Sequence, residues 1–354
     1  PDVRAEIRKI MGFWLALGVS GFRVDAVPFL VEHKGILAED LPDPYELLNE
    51  MHDFLRWRKA GAVLLAEANI PYEQAEDYFD AGDRMSMIFD FPLNQQLMLA
   101  MTRKTAAPIR QSLQNRPLPG GTAQWTNFLR SHDELSLERL SKQERQEVYD
   151  AFGPEPEMQI YDRGIRRRLA SMLGGDPKRL QLAFSLLLAL PGTPTFWYGE
   201  EIGMGEDLSL PERNSVRTPM QWANEANGGF STAEPADLVR PVLTKGAFRY
   251  QDVNVARQLR QRESLLSTIS AMVGCRRSAP EIGWAVPEVI DTGDDDVLVL
   301  SSKWREGHVV TLHNLSDRPK TVRLEVEGIS AYAPILNLSE ELLPFPADEP
   351  VQLD

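Results

Sequence analysis

Three carboxylates each close a short run of mostly apolar residues in this sequence. Asp25 ends the run Gly-Phe-Arg-Val-Asp, Glu67 ends Val-Leu-Leu-Ala-Glu, and Asp133 ends Phe-Leu-Arg-Ser-His-Asp. Acidic side chains at the ends of neighbouring parallel strands can line a single pocket. Two such groups are what retaining glycoside chemistry needs, one as nucleophile and one as acid and base. The pattern therefore predicts an enzyme that acts on a glycosidic bond.

Arg23 stands two residues before Asp25. Side chains alternate along a strand, so these two side chains should point to the same side. A neighbouring guanidinium keeps a carboxylate ionised and oriented, which is the state that a glycosidic nucleophile needs. A structural ion pair explains these two residues alone equally well, and the other two runs favour catalysis.

Glu67 is expected to lie partly buried at the carboxyl end of its strand. A partly buried glutamate that keeps its proton near neutral pH suits a general acid. A helix cap or a buried, hydrogen-bonded glutamate is the alternative, and Glu67 in isolation does not distinguish these roles.

His132, Asp133 and Glu134 form a polar cluster after the run that begins at Phe128. Metal binding by His132 and Asp133 is one interpretation, but no second histidine lies nearby at ligand spacing. A hydrogen-bonding clamp on sugar hydroxyls fits the cluster better. Glu134 and Arg217 could pair across the entrance of a pocket and contact substrate, or they could be two solvated loop charges.

Aromatic residues near the strand ends are further candidates. Phe91, together with Phe29 and Tyr198, could line a sugar pocket, although packing in a barrel core is the safer default for each of them. Trp197 is assigned to the core.

Helical and strand patterns alternate along most of the chain. Helices are predicted at 1–18, 44–58, 91–103, 178–190 and 256–272. Strands are predicted at 21–25, 62–67, 85–90, 126–131 and 195–198. Alternation of this kind indicates an α/β fold with a parallel sheet that is covered on both faces.

The pattern changes near residue 278. Short valine-rich runs at 296–301, 308–315 and 321–326, separated by turn sequences, predict a small antiparallel β-sandwich domain over 278–354. Residues 1–277 would then form the α/β domain. Two long connections, 134–175 and 199–254, follow predicted strands and should be lids over a pocket or carry structure of their own.

Composition and charge narrow the class of protein. The 354 residues are 43% hydrophobic and 25% charged, as in ordinary globular proteins. A net charge of −14 argues against nucleic acid or an anionic membrane surface as partner, whereas neutral sugars remain suitable ligands. The longest apolar stretch, 182–190, is too short to cross a bilayer. Cys275 is the single cysteine, so no internal disulfide forms, and a cytoplasmic location is the default.

Residues 21–29, 65–69 and 128–135 resemble three of the ordered sequence regions of the α-amylase superfamily of retaining glycoside hydrolases and transglycosylases. The three regions occur in the superfamily's order, and each one ends a predicted strand. The resemblance implies a (β/α)8 barrel, also called a TIM barrel, and small neutral α-glucosides as substrates.

The resemblance also implies the roles of individual residues. Asp25 would be the nucleophile, Glu67 the acid and base, and Asp133 a third carboxylate that binds the 2- and 3-hydroxyls of the reacting glucose. Arg23 and His132 would support them.

Further runs resemble most the branch of the superfamily that interconverts maltose and trehalose. They lie at 131–138, 164–170, 191–194, 198–205 and 216–222. The last two are shared with α-glucosidases, while Gly-Ile-Arg-Arg-Arg at 164–168 favours the isomerising branch. The expected reaction is transfer of glucose through a covalent glucosyl-aspartate. A hydrolase of α-1,4-glucosides and an inactive sugar-binding fragment are the alternatives. Ser131 departs from the family, which usually has asparagine there.

The superfamily's first ordered region has no counterpart in this sequence, and five strands are fewer than the eight of a closed barrel. We therefore expect about strands 4–8 of the barrel, with the missing N-terminal half as partner. The chemistry requires no cofactor. A structural Ca²⁺ is common in the superfamily, but its usual ligands come partly from the absent region, so no metal residue is assigned.

Overall fold

The computed structural model describes residues 2–31, 44–324, 326–336, 338, 344–347 and 349–353. The helices are α1 Asp2–Ala16, α2 Val27–Val31, α3 Glu46–Arg58, α4 Ala75–Phe79, α5 Phe91–Arg103, α6 Ala107–Asn115, α7 Lys142–Phe152, α8 Leu169–Met172, α9 Pro177–Ala189, α10 Val255–Gln258, α11 Leu265–Ser278 and α12 Pro280–Trp284. The strands are β1 Gly21–Val24, β2 Val63–Ala66, β3 Met87–Phe89, β4 Gln124–Phe128, β5 Leu135–Ser136, β6 Gln159–Ile160, β7 Gly164–Ile165, β8 Thr193–Thr195, β9 Glu288–Ile290, β10 Val297–Trp304, β11 Gly307–Asn314, β12 Lys320–Val322, β13 Ala331–Tyr332, β14 Phe345–Pro346 and β15 Val351–Leu353.

The chain divides into two compact units. The first comprises Pro1–Leu93 and Ser112–Asn127, and the second comprises Asn94–Gln111 and Phe128–Asp354. These units differ from the predicted domains 1–277 and 278–354, and that pair of domains stays a prediction.

The first unit is built on parallel strands in the order β1-β2-β3-β4. Their buried side chains come from alternate positions, so that Leu64 and Ala66 of β2, Ile88 of β3 and Trp125 of β4 are all at most 2% exposed. These residues form one core cluster with buried residues of α1, α3 and α4. The predicted α/β arrangement with parallel strands is confirmed here. Residue 1 of the helix predicted at 1–18 lies outside the described residues.

Antiparallel strands occupy the C-terminal part of the second unit. Strand β10 pairs with β11 and β9, β12 pairs with β15, and β13 pairs with β14. The strands predicted at 296–301 and 308–315 are confirmed. The strand predicted at 321–326 is shorter, since β12 ends at Val322, and Glu325 lies outside the described residues. Whether these strands form a separate β-sandwich domain stays a prediction.

Both long connections carry structure of their own. Residues 134–175 contain helix α7 and the small antiparallel sheet β5-β7-β6. Ser141 and Glu144 form a reciprocal capping box that fixes the start of α7. Residues 199–254 contain short 3-10 turns, among them Glu212–Val216.

Two predicted elements are displaced along the chain. The fifth strand lies at Thr193–Thr195 instead of 195–198. The last predicted helix, 256–272, is divided into the short α10 and the longer α11, which begins at Leu265. The Ser264 hydroxyl accepts the backbone N–H of Ser267 at 3.2 Å and so caps α11 at this point. In the described parts of the chain, no helix combines the length and the apolar character needed to span a membrane.

Candidate active site

Asp25 and Glu67 directly follow adjacent parallel strands. Val24 is paired with Ala66 in the β1–β2 register, so the two acidic residues leave the sheet side by side. The Glu67 N–H donates to the Val24 carbonyl at 3.0 Å, and the Val27 N–H donates to the Glu67 carbonyl at 3.1 Å. The backbone around both residues is therefore fixed by the sheet, as the sequence predicted.

The chain turns sharply after Asp25. Ala26 has a φ of +47°, in the left-handed region that costs a residue with a Cβ about 1–2 kcal/mol. Backbone strain of this kind persists where the surrounding structure over-determines it, and it is frequent at functional sites. Helix α2 begins at the next residue, Val27, which is fully buried.

One guanidinium contacts both carboxylates. Arg23 donates from Nη1 to Asp25 Oδ1 at 2.8 Å and from Nη2 to Glu67 Oε2. The side chain of Glu67 is 22% exposed and that of Asp25 is 75% exposed. The predicted pairing of Arg23 with Asp25 and the partial burial of Glu67 are both confirmed. The second contact, from Arg23 to Glu67, was not predicted, because the two residues are 44 positions apart.

Asp90, in the first unit, is a further acidic residue at the end of a strand, and it was missed as a functional candidate from the sequence alone. Asp90 directly follows β3, and its buried carboxylate accepts the Leu93 N–H and the Tyr72 hydroxyl, each at 3.0 Å. Arg116 completes the group, with its Nε 3.0 Å from Asp90 Oδ2. Burial raises the pKa of Asp90, while the nearby Arg116 charge opposes that rise. Its position after a strand was the available sequence signal.

Phe91 begins helix α5, immediately after Asp90. Its ring is half-buried and makes an edge contact with the Phe89 ring, with centroids 6.5 Å apart. Asp90 accepts the Leu93 N–H in the first turn of α5, so the buried carboxylate fixes the start of the helix that carries Phe91. Phe29, by contrast, is 71% exposed, which does not fit packing in a core.

The second unit brings His132, Asp133 and Glu134 together with two arginines. Asp133 accepts from Arg217 Nη2 at Oδ1, and its Oδ2 lies 3.4 Å from Arg213 Nη1. His132 Nε2 lies 3.6 Å from Asp133 Oδ1. Charged hydrogen bonds from a guanidinium hold a carboxylate in a defined orientation. This group can therefore present an oriented carboxylate to hydroxyl donors.

The expected pair of Glu134 with Arg217 is wrong. Arg217 donates from Nε to the His132 carbonyl at 2.7 Å, in addition to its contact with Asp133. Glu134 is held by Arg213, which donates from Nε at 2.6 Å and from Nη2 at 3.2 Å. A two-pronged contact of this kind suits the planar guanidinium. Arg213 was missed because 79 positions separate it from Glu134 and no local pattern joins them.

A buried arginine, Arg130, holds the backbone of the cluster. Arg130 is 2% exposed and donates to the carbonyls of Asp133 at 2.9 Å and Arg167 at 2.7 Å. Burial lowers the pKa of Arg130 to about 10, which leaves it charged at neutral pH. Ser131, the departure from the family pattern, accepts the Asp133 N–H on its hydroxyl at 3.2 Å. Serine therefore still gives the loop a side-chain acceptor.

Two aromatic residues adjoin this cluster. The ring of Trp197 lies 5.8 Å from that of His132. Trp197 is half-buried, so its predicted place in the core is wrong. Tyr198 donates its hydroxyl to the Thr218 carbonyl at 2.5 Å, a contact that fits a packing role. Within the described residues, no group of three or more His, Cys, Asp or Glu side chains is arranged to hold a metal ion.

Comparison with known proteins places these residues in a family. Residues 1–284 match the family described as "Alpha amylase, catalytic domain". A trehalose synthase of Thermus thermophilus is 38% identical over 351 residues, covering 99% of this chain and 36% of that protein. A protein named trehalose synthase/amylase from Mycobacterium tuberculosis is 37% identical over 352 residues, covering 95% of this chain and 57% of that protein. The chain thus spans roughly a third to three fifths of these relatives.

Solved structures share the fold at lower identity. An α-amylase of H. orenii has a TM-score of 0.73 at 20% identity, covering 99% of this chain and 62% of that one. A trehalulose synthase mutant has a TM-score of 0.71 at 22% identity, covering all of this chain and 67% of that one. With a family match over most of its length and relatives above 35% identity, the chain belongs to the α-amylase family.

Proposed function

We propose that this chain carries the catalytic residues of an enzyme that transfers glucose within small α-glucosides, interconverting maltose and trehalose. The observation that supports this most is the placement of Asp25 and Glu67 at the ends of adjacent parallel strands, with both side chains on one arginine. The relatives named trehalose synthase support the choice of substrates.

In this proposal, Asp25 attacks the anomeric carbon while Glu67 protonates the leaving glucose. Retaining chemistry of this kind needs the two carboxyl groups about 5–5.5 Å apart. A covalent glucosyl-aspartate forms, and Glu67 then removes a proton from the incoming hydroxyl. Arg23 Nη2 donates to Glu67 Oε2, so this contact must be released if that oxygen is the one that carries the proton.

Asp133 would bind the 2- and 3-hydroxyls of the transferred glucose. Arg217 and Arg213 contact this carboxylate, and His132 beside it offers a further hydrogen-bonding group. Hydroxyl contacts that strengthen as the ring flattens contribute to transition-state binding. Phe91, Glu134 and Arg217 are retained as candidate substrate contacts.

Isomerisation requires that the released glucose turn and attack through its own anomeric hydroxyl before water does. Exclusion of water therefore decides between transfer and hydrolysis. The connections 134–175 and 199–254 are the segments that we assign to this task. We further propose that the parallel strands belong to the C-terminal part of a (β/α)8 barrel that a further segment completes.

Incubation with maltose tests the proposal in the complete protein. We expect trehalose as the main product, glucose as a minor one, and loss of both with Asp25→Asn or Glu67→Gln. The matched control is Asp53→Asn, an exposed carboxylate on helix α3. Failure of the unsubstituted protein to convert maltose or trehalose would rule out the proposed activity and favour an inactive sugar-binding role.

Hydrolysis is the second candidate, because relatives from mycobacteria carry the double name trehalose synthase/amylase. The same three carboxylates serve both reactions. Glucose as the main product from maltose, still abolished by Asp25→Asn, would establish hydrolysis in place of isomerisation.

A further inference from the structure

The run Gly-Ile-Arg-Arg-Arg at 164–168 has no role in the mechanism above. In the second unit, all three of its guanidinium groups contact the segment 198–217. Arg168 donates to the carbonyls of Tyr198 and Val216, each at 2.8 Å. Arg167 donates to Glu206 Oε1 at 2.9 Å. Arg166 donates to the carbonyls of Leu208, at 3.1 Å, and Leu210.

Arg166 also meets the segment at a second point. Its Nε lies 3.4 Å from the Ser215 hydroxyl, and that hydroxyl donates to the Arg166 carbonyl at 2.9 Å. Ser215 is fully buried, so this reciprocal contact is shielded from water. It lies two residues from Arg213 on one side and two residues from Arg217 on the other.

Those two arginines are the ones that hold the polar cluster. Arg217 contacts Asp133, and Arg213 contacts both Asp133 and Glu134. The same run places Glu134 from the other side. A Cβ at Gly164 would lie 2.6 Å from Glu134 Cγ, so the glycine leaves the space that the Glu134 side chain fills.

We propose that Arg166 is a positioning residue for Asp133. Through Ser215 and the carbonyls of Leu208 and Leu210, it fixes residues 207–217 of that segment. Arg213 and Arg217 are thereby placed within reach of their carboxylates. This inference rests on the proposed function, in which Asp133 binds the glucose hydroxyls. Arg167 and Arg168 fix neighbouring parts of the segment.

The acceptors of Arg166 determine which substitutions are informative. They are two carbonyls and a hydroxyl, all uncharged, so the planar fork matters more than the charge. Arg166→Met removes every one of these hydrogen bonds while keeping much of the side-chain length. Arg166→Lys keeps a donor and should restore part of the effect.

Two measurements on the complete protein test the inference. The first is limited trypsin digestion with mass spectrometry, following cleavage after Arg213 and Arg217. The second is steady-state kinetics with maltose, separating KM from kcat. For Arg166→Met we expect cleavage in the segment to accelerate and KM to rise, each about tenfold, with a smaller change in kcat. Arg166→Lys should fall between this variant and the unsubstituted protein.

The matched control is Arg179→Met, which removes an exposed arginine from the first turn of α9 in the same unit. It should change neither measurement. If Arg166→Met does not fold, as judged by circular dichroism, Ser215→Ala removes the shared hydroxyl alone and should give the same two changes at smaller size.

The two measurements fail in different ways. Unchanged cleavage after Arg213 and Arg217 in a folded Arg166→Met or Ser215→Ala variant overturns the positioning role. Accelerated cleavage with an unchanged KM overturns the link to Asp133. An unsubstituted protein that is inactive on maltose and trehalose contradicts the proposed function, while the digestion still decides whether Arg166 holds the segment.

Discussion

Asp90 and Arg116 form an ion pair that water barely reaches. The Asp90 side chain is fully buried and that of Arg116 is 6% exposed. Two buried charges lose their hydration, and only good mutual geometry with further hydrogen bonds offsets that loss. Tyr72 and the Leu93 N–H provide those additional bonds. Removing one charge would leave the other uncompensated in the core of the first unit.

We predict that Arg116→Met lowers the free energy of unfolding by about 3–5 kcal/mol. The control, Arg103→Met, breaks the well-formed but solvated pair with Glu147, whose side chains are 36% and 30% exposed, and should cost less than about 1 kcal/mol. Urea unfolding followed by fluorescence measures both. Equal losses in the two variants would contradict the assignment of Asp90 and Arg116 as a buried ion pair.

The strand-end position made Asp25 and Glu67 recognisable from sequence, because an acid that closes an apolar run is a local pattern. Asp90 has the same position after β3 but was read only as the end of a strand. What separates it from the other two is its surroundings, since Tyr72, Ser112 and Arg116 come from distant parts of the chain. Contacts of that separation leave no local trace in sequence.

At the scale of elements, β11 and α9 are joined by a buried histidine in the second unit. His313 lies 5% exposed on β11, and its Nε2 is 2.9 Å from the Ser185 hydroxyl on α9. Burial lowers the pKa of His313 from 6.5 to about 4, so the imidazole is neutral in the folded protein. The unfolded chain therefore binds a proton at this histidine more readily than the folded protein does.

The sign of the pH dependence follows from that difference. Above pH 6.5 the histidine is neutral in both states, and its contribution to stability is fully present. As the pH falls from 6.5 towards 4, the unfolded chain gains a proton that the folded protein does not, and about 3 kcal/mol is lost.

We predict that His313→Gln weakens this pH dependence. Between pH 6.5 and 4, the unfolding free energy of the variant should fall by about 3 kcal/mol less than that of the unsubstituted protein. His308→Gln, at a half-buried position on the same strand, is the matched control for the replacement of a histidine by glutamine. Parallel pH profiles for His313→Gln and the unsubstituted protein would refute the role of His313.

The predicted elements agree with the structure where the local signal is strong. Helix α5 has its predicted bounds, 91–103, because apolar spacing and its flanking residues define both ends. Helix α11 begins nine residues later than the predicted start at 256, because Ser264 provides a cap after the polar run 260–263. Which arginine meets Glu134 was not predictable, since it depends on how a long connection folds.

At the scale of the whole molecule, helix α1 leaves apolar side chains in solvent. They are between 42% and 76% exposed and comprise Val3, Ile7, Ile10, Phe13 and Trp14, and Leu17 directly after the helix is also exposed. A neighbouring face of α1 buries Met11 and Leu15 in the core of the first unit. A contiguous exposed apolar face of this kind favours association with another surface.

We predict that this 354-residue chain self-associates at micromolar concentration despite its net charge of −14. Combined Ile10→Lys and Phe13→Lys substitutions should reduce the sedimentation-average mass towards 39.9 kDa. Val239→Lys, at a position 93% exposed in the second unit, is the control and should have no such effect. A monodisperse 39.9 kDa species before any substitution would contradict the prediction.

Because Arg23 is shared by Asp25 and Glu67, the effects of replacing the two acids will not add. Taking away one acid leaves the guanidinium wholly to its neighbour and so changes the group that remains. The rate lost in either single variant is then not that residue's own share of the acceleration. A triple-mutant cycle that combines substitutions of Asp25, Glu67 and Arg23 is needed to separate direct participation from this coupling energy.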